Sequence, residues 1–229
     1  MYNGTDGSDP TIENSILWGN TAPTNPEVGN YSGFGDAEAN PTFEHSLVQG
    51  SGGSSSWDTG LGTDGGGNID ADPLFINAPD DVRLSAPSSA IDAGDANLVS
   101  ASQDLAGNPR EQRSNVDLGA YELGPISASA SSVTVSSATA TADGSDASTL
   151  TIELRDAQNN PISGVSGGDF TLSGLGDASV GTISEPSTGT YQADLTNTTA
   201  ETVTVTVTAN GTTLDDTPTV TFEPGSPAA

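Results

Sequence analysis

Two stretches of the chain repeat one another at an offset of 31 residues: Pro10-Thr-Ile-Glu-Asn-Ser-Ile-Leu-Trp-Gly19 and Pro41-Thr-Phe-Glu-His-Ser-Leu-Val-Gln-Gly50. They agree by identity or apolar class except at Asn14/His45 and Trp18/Gln49. Each copy carries short β-type runs, with apolar residues at Ile12 and Ile16 or at Phe43 and Leu47, and closes on Gly. A unit this small cannot bury its own apolar face, so it must stack on neighbours as one coil of a solenoid. Stable stacks need about three coils, and only two are legible before residue 60. The chain is therefore expected to begin inside a solenoid. Its open end, around Ile12, Ile16 and Leu17, is expected to self-associate or fray.

Residues 51–68, rich in Gly and Ser with Trp57 as an aromatic anchor, read as a loop with too little apolar surface for a core. Gly60, Gly62 and Gly65 match a dinucleotide fingerprint in spacing alone. No strand precedes them and no helix follows, so the loop reading stands. His45, the only histidine, takes the repeat position of Asn14 and reads as a coil-surface residue. Its solitude excludes an imidazole-based metal cluster.

Charge sets the partners. Against 31 acidic residues stand Arg83, Arg110, Arg113 and Arg155, with no Lys, for a net charge of −27. Nothing here can displace counterions from a phosphate backbone, so nucleic acid is excluded. The acids are scattered among alternating apolar residues, which describes a solvated folded surface. Such a surface suits high salt, where a Debye length of roughly 3 Å at 1 M screens self-repulsion, and a halophilic or marine source fits it as well as the ordinary acidic bias of secreted proteins does. With no Cys there are no disulfides. No apolar run reaches the roughly 20 residues that span a bilayer, and Met1-Tyr-Asn-Gly-Thr-Asp is no signal peptide.

Short strands and turns continue to residue 123, and six motifs follow in order: Asn14-Ser-Ile-Leu-Trp-Gly-Asn20, Ser46-Leu-Val-Gln-Gly50, Asn68-Ile-Asp-Ala-Asp-Pro-Leu-Phe75, Ser89-Ala-Ile-Asp-Ala-Gly-Asp95, Asp104-Leu-Ala-Gly-Asn-Pro-Arg110 and Asp117-Leu-Gly-Ala-Tyr-Glu122. This series resembles the C-terminal end of bacterial right-handed parallel β-helix surface proteins of the choice-of-anchor Q type, related to polymorphic outer-membrane proteins. The resemblance implies that residues 1–123 are the last coils and cap of a β-helix. That family carries no single activity.

After Gly124-Pro125 the composition turns to Ser/Thr/Val alternation. Strand-length, period-two runs occur at Val133–Val135, Thr149–Leu154, Asp169–Leu172, Tyr191–Leu195, Thr202–Thr208 and Thr219–Phe222, separated by turn signals such as Asn159-Asn-Pro161 and Asn210-Gly211. Strands this short at this spacing argue a sandwich. Asp143-Gly-Ser-Asp-Ala-Ser-Thr-Leu-Thr-Ile, Asp156-Ala-Gln-Asn-Asn-Pro-Ile-Ser-Gly164, Gly189-Thr-Tyr191 and the Thr/Val strand resemble bacterial Ig-like domains of the invasin and intimin type. The expected organisation is all-β: a β-helix terminus at 1–123, an Ig-like sandwich at 124–223 and a linker at 224–229.

Glu13 and Glu44 share a repeat position and would stack on adjacent coils, but residues 1–82 hold no Arg or Lys to complete a lyase-type site. A calcium site of EF-hand type is excluded by Pro73 and Pro79, leaving a looser oxygen site at Asp70, Asp72, Asp92 and Asp95 as the candidate cofactor position. Trp18, Tyr31, Phe34 and Trp57 are candidate platforms for a glycan or partner, Trp18 expected to face outward because Gln49 replaces it in the repeat. The leading expectation is a non-enzymatic stalk or display scaffold of an extracellular protein, joined to flanking domains, with export signal and anchor outside this segment. The alternatives are an adhesin or glycan-binding module and, more remotely, the non-catalytic end of a polysaccharide-degrading β-helix enzyme.

Overall fold

The computed structural model describes residues 9–23, 27–30 and 40–225. The chain divides into two compact units, residues 1–123 and 124–229, and the described residues form β-strands and turns with two single-turn 3-10 segments.

In the first unit β1 (Thr11–Glu13), β3 (Thr42–Glu44) and β5 (Thr63–Gly66) form one parallel ladder, while β2 (Ile16–Leu17) and β4 (Leu47–Val48) form another. The register pairs Ile12 with Phe43 and Glu13 with Glu44, which is the offset read in the sequence. Ile69 extends the second ladder through a parallel bridge to Leu47. Each rung turns its corner on a left-handed residue: Asn14 (φ 46), His45 (φ 44) and Gly67 (φ 70). Asn and His tolerate this region better than most side chains.

The third rung corrects the loop reading of residues 51–68. Thr63 pairs with Thr42 and Asp64 with Phe43, and Trp57 and Leu61 pack on a cluster of Ile12, Val28, Phe43 and Val48. Its glycines hid the strand from pattern reading and also make it fit: a Cβ at Gly62 would lie 2.2 Å from the Pro41 carbonyl oxygen. Beyond it β6 (Phe75–Asn77) and β7 (Asp81–Leu84) form an antiparallel pair. Leu84, Ala90 and Leu118 then close over Leu47, so turn-rich chain as far as residue 118 covers the second ladder.

His45 also departs from expectation, since it is half-buried and its Nδ1 lies 3.2 Å from the Ala93 carbonyl oxygen. Asn14 grips the same segment, donating from Nδ2 to Asp95 O (2.9 Å) and accepting at Oδ1 from Asp95 N (2.8 Å). The corner column thus holds residues 93–95 against the rungs.

The second unit builds a sheet from β8 (Ser132–Val135), β10 (Ser148–Glu153), β12 (Ser179–Val180), β13 (Ser184–Ser187) and β14 (Thr190–Thr196). A second sheet joins β11 (Phe170–Ser173), β16 (Thr206–Ala209) and β17 (Thr212–Thr213); a third joins β15 (Thr202–Thr204), β18 (Thr219–Glu223) and β9 (Thr139–Thr141). Alternate residues are buried, as along β10, where Ser148, Leu150 and Ile152 face inward. Phe170 of β11 meets Tyr191 of β14 with ring centroids 5.0 Å apart, so the first two sheets face each other across the core.

The run Thr202–Thr208, expected as one strand, is two. It breaks at Val205, whose N–H donates to Pro218 O, and its halves enter different sheets. Val203, Val205 and Val207 are all buried, so the inward alternation survives the change of sheet and pattern alone could not reveal it.

Candidate functional site

A cleft of about 480 Å³ in the first unit includes Trp18, a contact residue expected from sequence. Ile16, Trp18, Phe75 and Val82 supply apolar wall, and Asn14, Ser15, Gly119 and Ala120 complete it without a titratable side chain. The rung places Trp18 just past β2, and the β6–β7 pair brings Phe75 and Val82 opposite it. Its volume lies in the range of small-ligand sites. Its chemistry is shape and apolar contact, with Asn14 and Ser15 as the polar side chains of the lining.

Trp18 itself is half-buried and packs on Leu47, Leu84, Ala90 and Leu118, so it is a wall of the cleft and not an outward platform. Trp57 is engaged elsewhere: its ring lies 5.4 Å from that of Phe43, and its Nε1 donates to Gly62 O (2.9 Å). The two tryptophans belong to different clusters. Tyr31 and Phe34 lie outside the described residues.

The carboxylates considered for calcium bind backbone N–H groups. Asp70 accepts from Gly50 N (3.0 Å) and Gly52 N (2.8 Å), Asp72 from Leu74 N (2.9 Å), Asp92 from Asn115 N (2.9 Å) and Asp95 from Asn97 N (2.9 Å). Short Asp side chains commonly cap turns in this way. Among the described residues no group of three or more His, Cys, Asp or Glu side chains is placed to hold a metal ion.

Asp104, Arg110, Asp117 and Glu122, letters of two turn motifs in the sequence, come together in one network that the motifs do not reveal. All four are buried. Arg110 Nη1 lies 3.0 Å from Glu122 Oε1 and donates to Gly119 O (3.1 Å), and its Nη2 donates to Asp117 O (3.4 Å). Glu122 accepts from Asp117 N (3.0 Å), Asp117 from Asp92 N and Leu123 N, and Asp104 from Ala106, Asn108 and Glu122 N–H groups. Burial raises the Asp117 carboxyl against the pull of its N–H donors. Burial, reinforced by Asp117 and Asp104, pushes Glu122 up to about 8 despite Arg110 and the Asp117 N–H. An acid sharing a buried site with other acids holds its proton to higher pH. The signal in the sequence was the presence of acids and Arg110 in turns that carry little apolar residue to bury.

Residues 127–225 match the family model described as Invasin, domain 3. Among solved structures the chain is similar to invasin, a bacterial integrin-binding protein, at 33% identity and a TM-score of 0.39 over 50% of this chain and 23% of that one. It is similar to the Escherichia coli adhesin FdeC at 24% identity and a TM-score of 0.41 over 48% of this chain and 37% of that one. InvD of Yersinia pseudotuberculosis matches at 25% identity and a TM-score of 0.42 over 51% of this chain and 37% of that one. The chain thus spans well under half the length of these proteins. No helix among the described residues is long and apolar enough to cross a membrane. Invasin-type adhesin domains are non-enzymatic modules of cell-surface proteins, and it is such a domain that residues 127–225 are similar to.

Proposed function

We propose that this chain is a structural segment of a secreted or cell-surface protein, a stalk or spacer that displays other regions of its parent away from the cell. In this reading residues 1–123 are the end of a right-handed parallel β-helix, 124–223 the Ig-like sandwich and 224–229 a linker. The observation that carries the spacer role is where the contact-making groups go. Trp57, Asp70, Asp72, Asp92 and Asp95 are all tied to the chain's own backbone. Three stacked rungs in parallel register support the β-helix assignment. The match of residues 127–225 to the Invasin, domain 3 family model supports the surface location.

The test is geometric. On cells displaying the parent protein, deletion of residues 9–225 is expected to bring an epitope beyond them closer to the membrane, read by axial super-resolution imaging. An unchanged epitope height contradicts the spacer role.

The cleft beside Trp18 favours a second reading, an adhesin surface for a neutral ligand such as an uncharged sugar. Binding of a neutral oligosaccharide panel that Val82→Asp, at an exposed part of the cleft wall, abolishes with the unfolding temperature unchanged selects this reading over the first.

A further inference from the structure

Four Asn-x-Ser/Thr triplets with x other than proline occur in the chain, at Asn3, Asn30, Asn197 and Asn210; Asn40 is barred by Pro41. In an exported protein this triplet is the acceptor for N-linked glycans, and the asparagine must be presented with its amide nitrogen free. Asn3 lies outside the described residues. Asn30 Nδ2 is engaged by Gly60 O (3.2 Å) and Leu61 O (3.0 Å). Asn197 is 2% exposed, with Nδ2 donating to Glu201 (2.8 Å) and Oδ1 accepting from Thr199 N (2.8 Å).

Asn210 is different on each count. It is exposed at the tip of the β16–β17 hairpin, where Asn210 (φ 46) and Gly211 (φ 82) form the two-residue turn between paired Ala209 and Thr212. Its backbone N–H holds Asp169 O at 2.9 Å, while among the described residues no hydrogen bond holds its carboxamide. The space is open, for a Cβ built on Gly211 meets nothing within 4 Å. The residue two positions on is Thr212, as the triplet requires.

We propose that Asn210 is a site of N-linked glycosylation, a reading that rests on the surface location above. The donor is a glycan on a polyprenyl phosphate or pyrophosphate. Asn210 Nδ2 bonds to the sugar C1, the C1–O bond to the lipid carrier breaks, the carrier leaves with that electron pair, and one amide proton passes to base. No oxidation or reduction takes place. The product stands beside β17, the outer strand of its sheet, and a bulky hydrophilic group there shields an open edge from pairing with another chain.

The protein recovered from its own cells tests this by fractionation and glycopeptide mass spectrometry. The expected result is exported protein with a glycan mass on the peptide containing Asn210, absent in Asn210→Gln, and with Asn197 bare. Exported protein with bare Asn210, or folded protein glycosylated at Asn197 in its place, overturns the proposal and leaves the surface reading standing. Protein retained in the cytoplasm overturns the surface reading, and the proposal falls with it.

Discussion

The first unit buries Glu27, Asn68, Asp104, Arg110, Asp117 and Glu122 among its apolar residues, whereas the second buries Ser131, Ser148, Asp156 and Asn197 inside a core of regularly alternating Val, Leu, Ile and aromatic side chains. Alternation lets every sheet of the second unit bury one face with the ladder satisfying its backbone. Residues 85–123 of the first unit contain no strand, so their backbone groups need side-chain partners, and carboxylates supply them. The difference teaches that one chain is held by two kinds of force. The first unit should answer to pH and to loss of a charge, the second to loss of volume.

Removing Arg110 is expected to have the largest effect. At pH 9, where Glu122 carries its charge, Arg110→Met leaves this buried carboxylate without the cation it pairs with and should cost the first unit about 3–5 kcal/mol. At pH 5 the cost should be smaller, because Glu122 then keeps its proton. Calorimetry should show the other transition unmoved. The counterpart is Leu150→Ala, a fully buried side chain, expected to cost the second unit about 2–5 kcal/mol at either pH. A pH-dependent loss in the second unit or a pH-independent one in the first breaks the comparison.

The pH profile of the wild type sharpens it. Because the Glu122 carboxyl is raised from 4.5 to about 8 in the folded state, its contribution is fully present below pH 4.5 and lost as pH rises through about 8. The first transition should therefore fall in temperature across that window, and Glu122→Gln should flatten the fall. A profile unaltered by Glu122→Gln contradicts the assignment.

A smaller loss, about 1–3 kcal/mol, is expected for Tyr191→Phe, whose missing hydroxyl leaves Val165 N and Ile162 O without partners inside the second unit. Denaturant midpoints at constant slope would measure it. The mildest effect is general: with a net charge of −27, both transitions should rise between low and molar NaCl. A flat or falling response counts against a surface suited to high salt.

Legibility in the sequence followed the same division. Six runs with period two located strands of the second unit because a half-buried strand writes its burial into alternation. Strands β9, β12, β13 and β17 went unread, being short or, like β13 with Ser184-Glu-Pro-Ser187, exposed throughout. The repeat gave the rungs at Ile12 and Phe43, while the third rung, Thr63-Asp-Gly-Gly66, carries no pattern because its pairing with β3 is tertiary. Trp18 was found as a residue, but its cleft depends on Phe75 and Val82, more than 50 residues away. The Arg110 network was illegible for a related reason. Acids in turns usually face water, and these are buried only once residues 104–122 close on themselves and on the segment around Ala90 and Asp92.

Single-molecule pulling between residues 9 and 225 tests the central claim, that both units are folded elements able to hold a distance. Two discrete unfolding events are expected, releasing contour lengths of about 400 Å and about 350 Å at roughly 3.4 Å per residue. Only the longer should weaken in Arg110→Met at pH 9. A smooth extension through residues 9–123 with no force peak would show that the first unit resists nothing, and the spacer account would fail there.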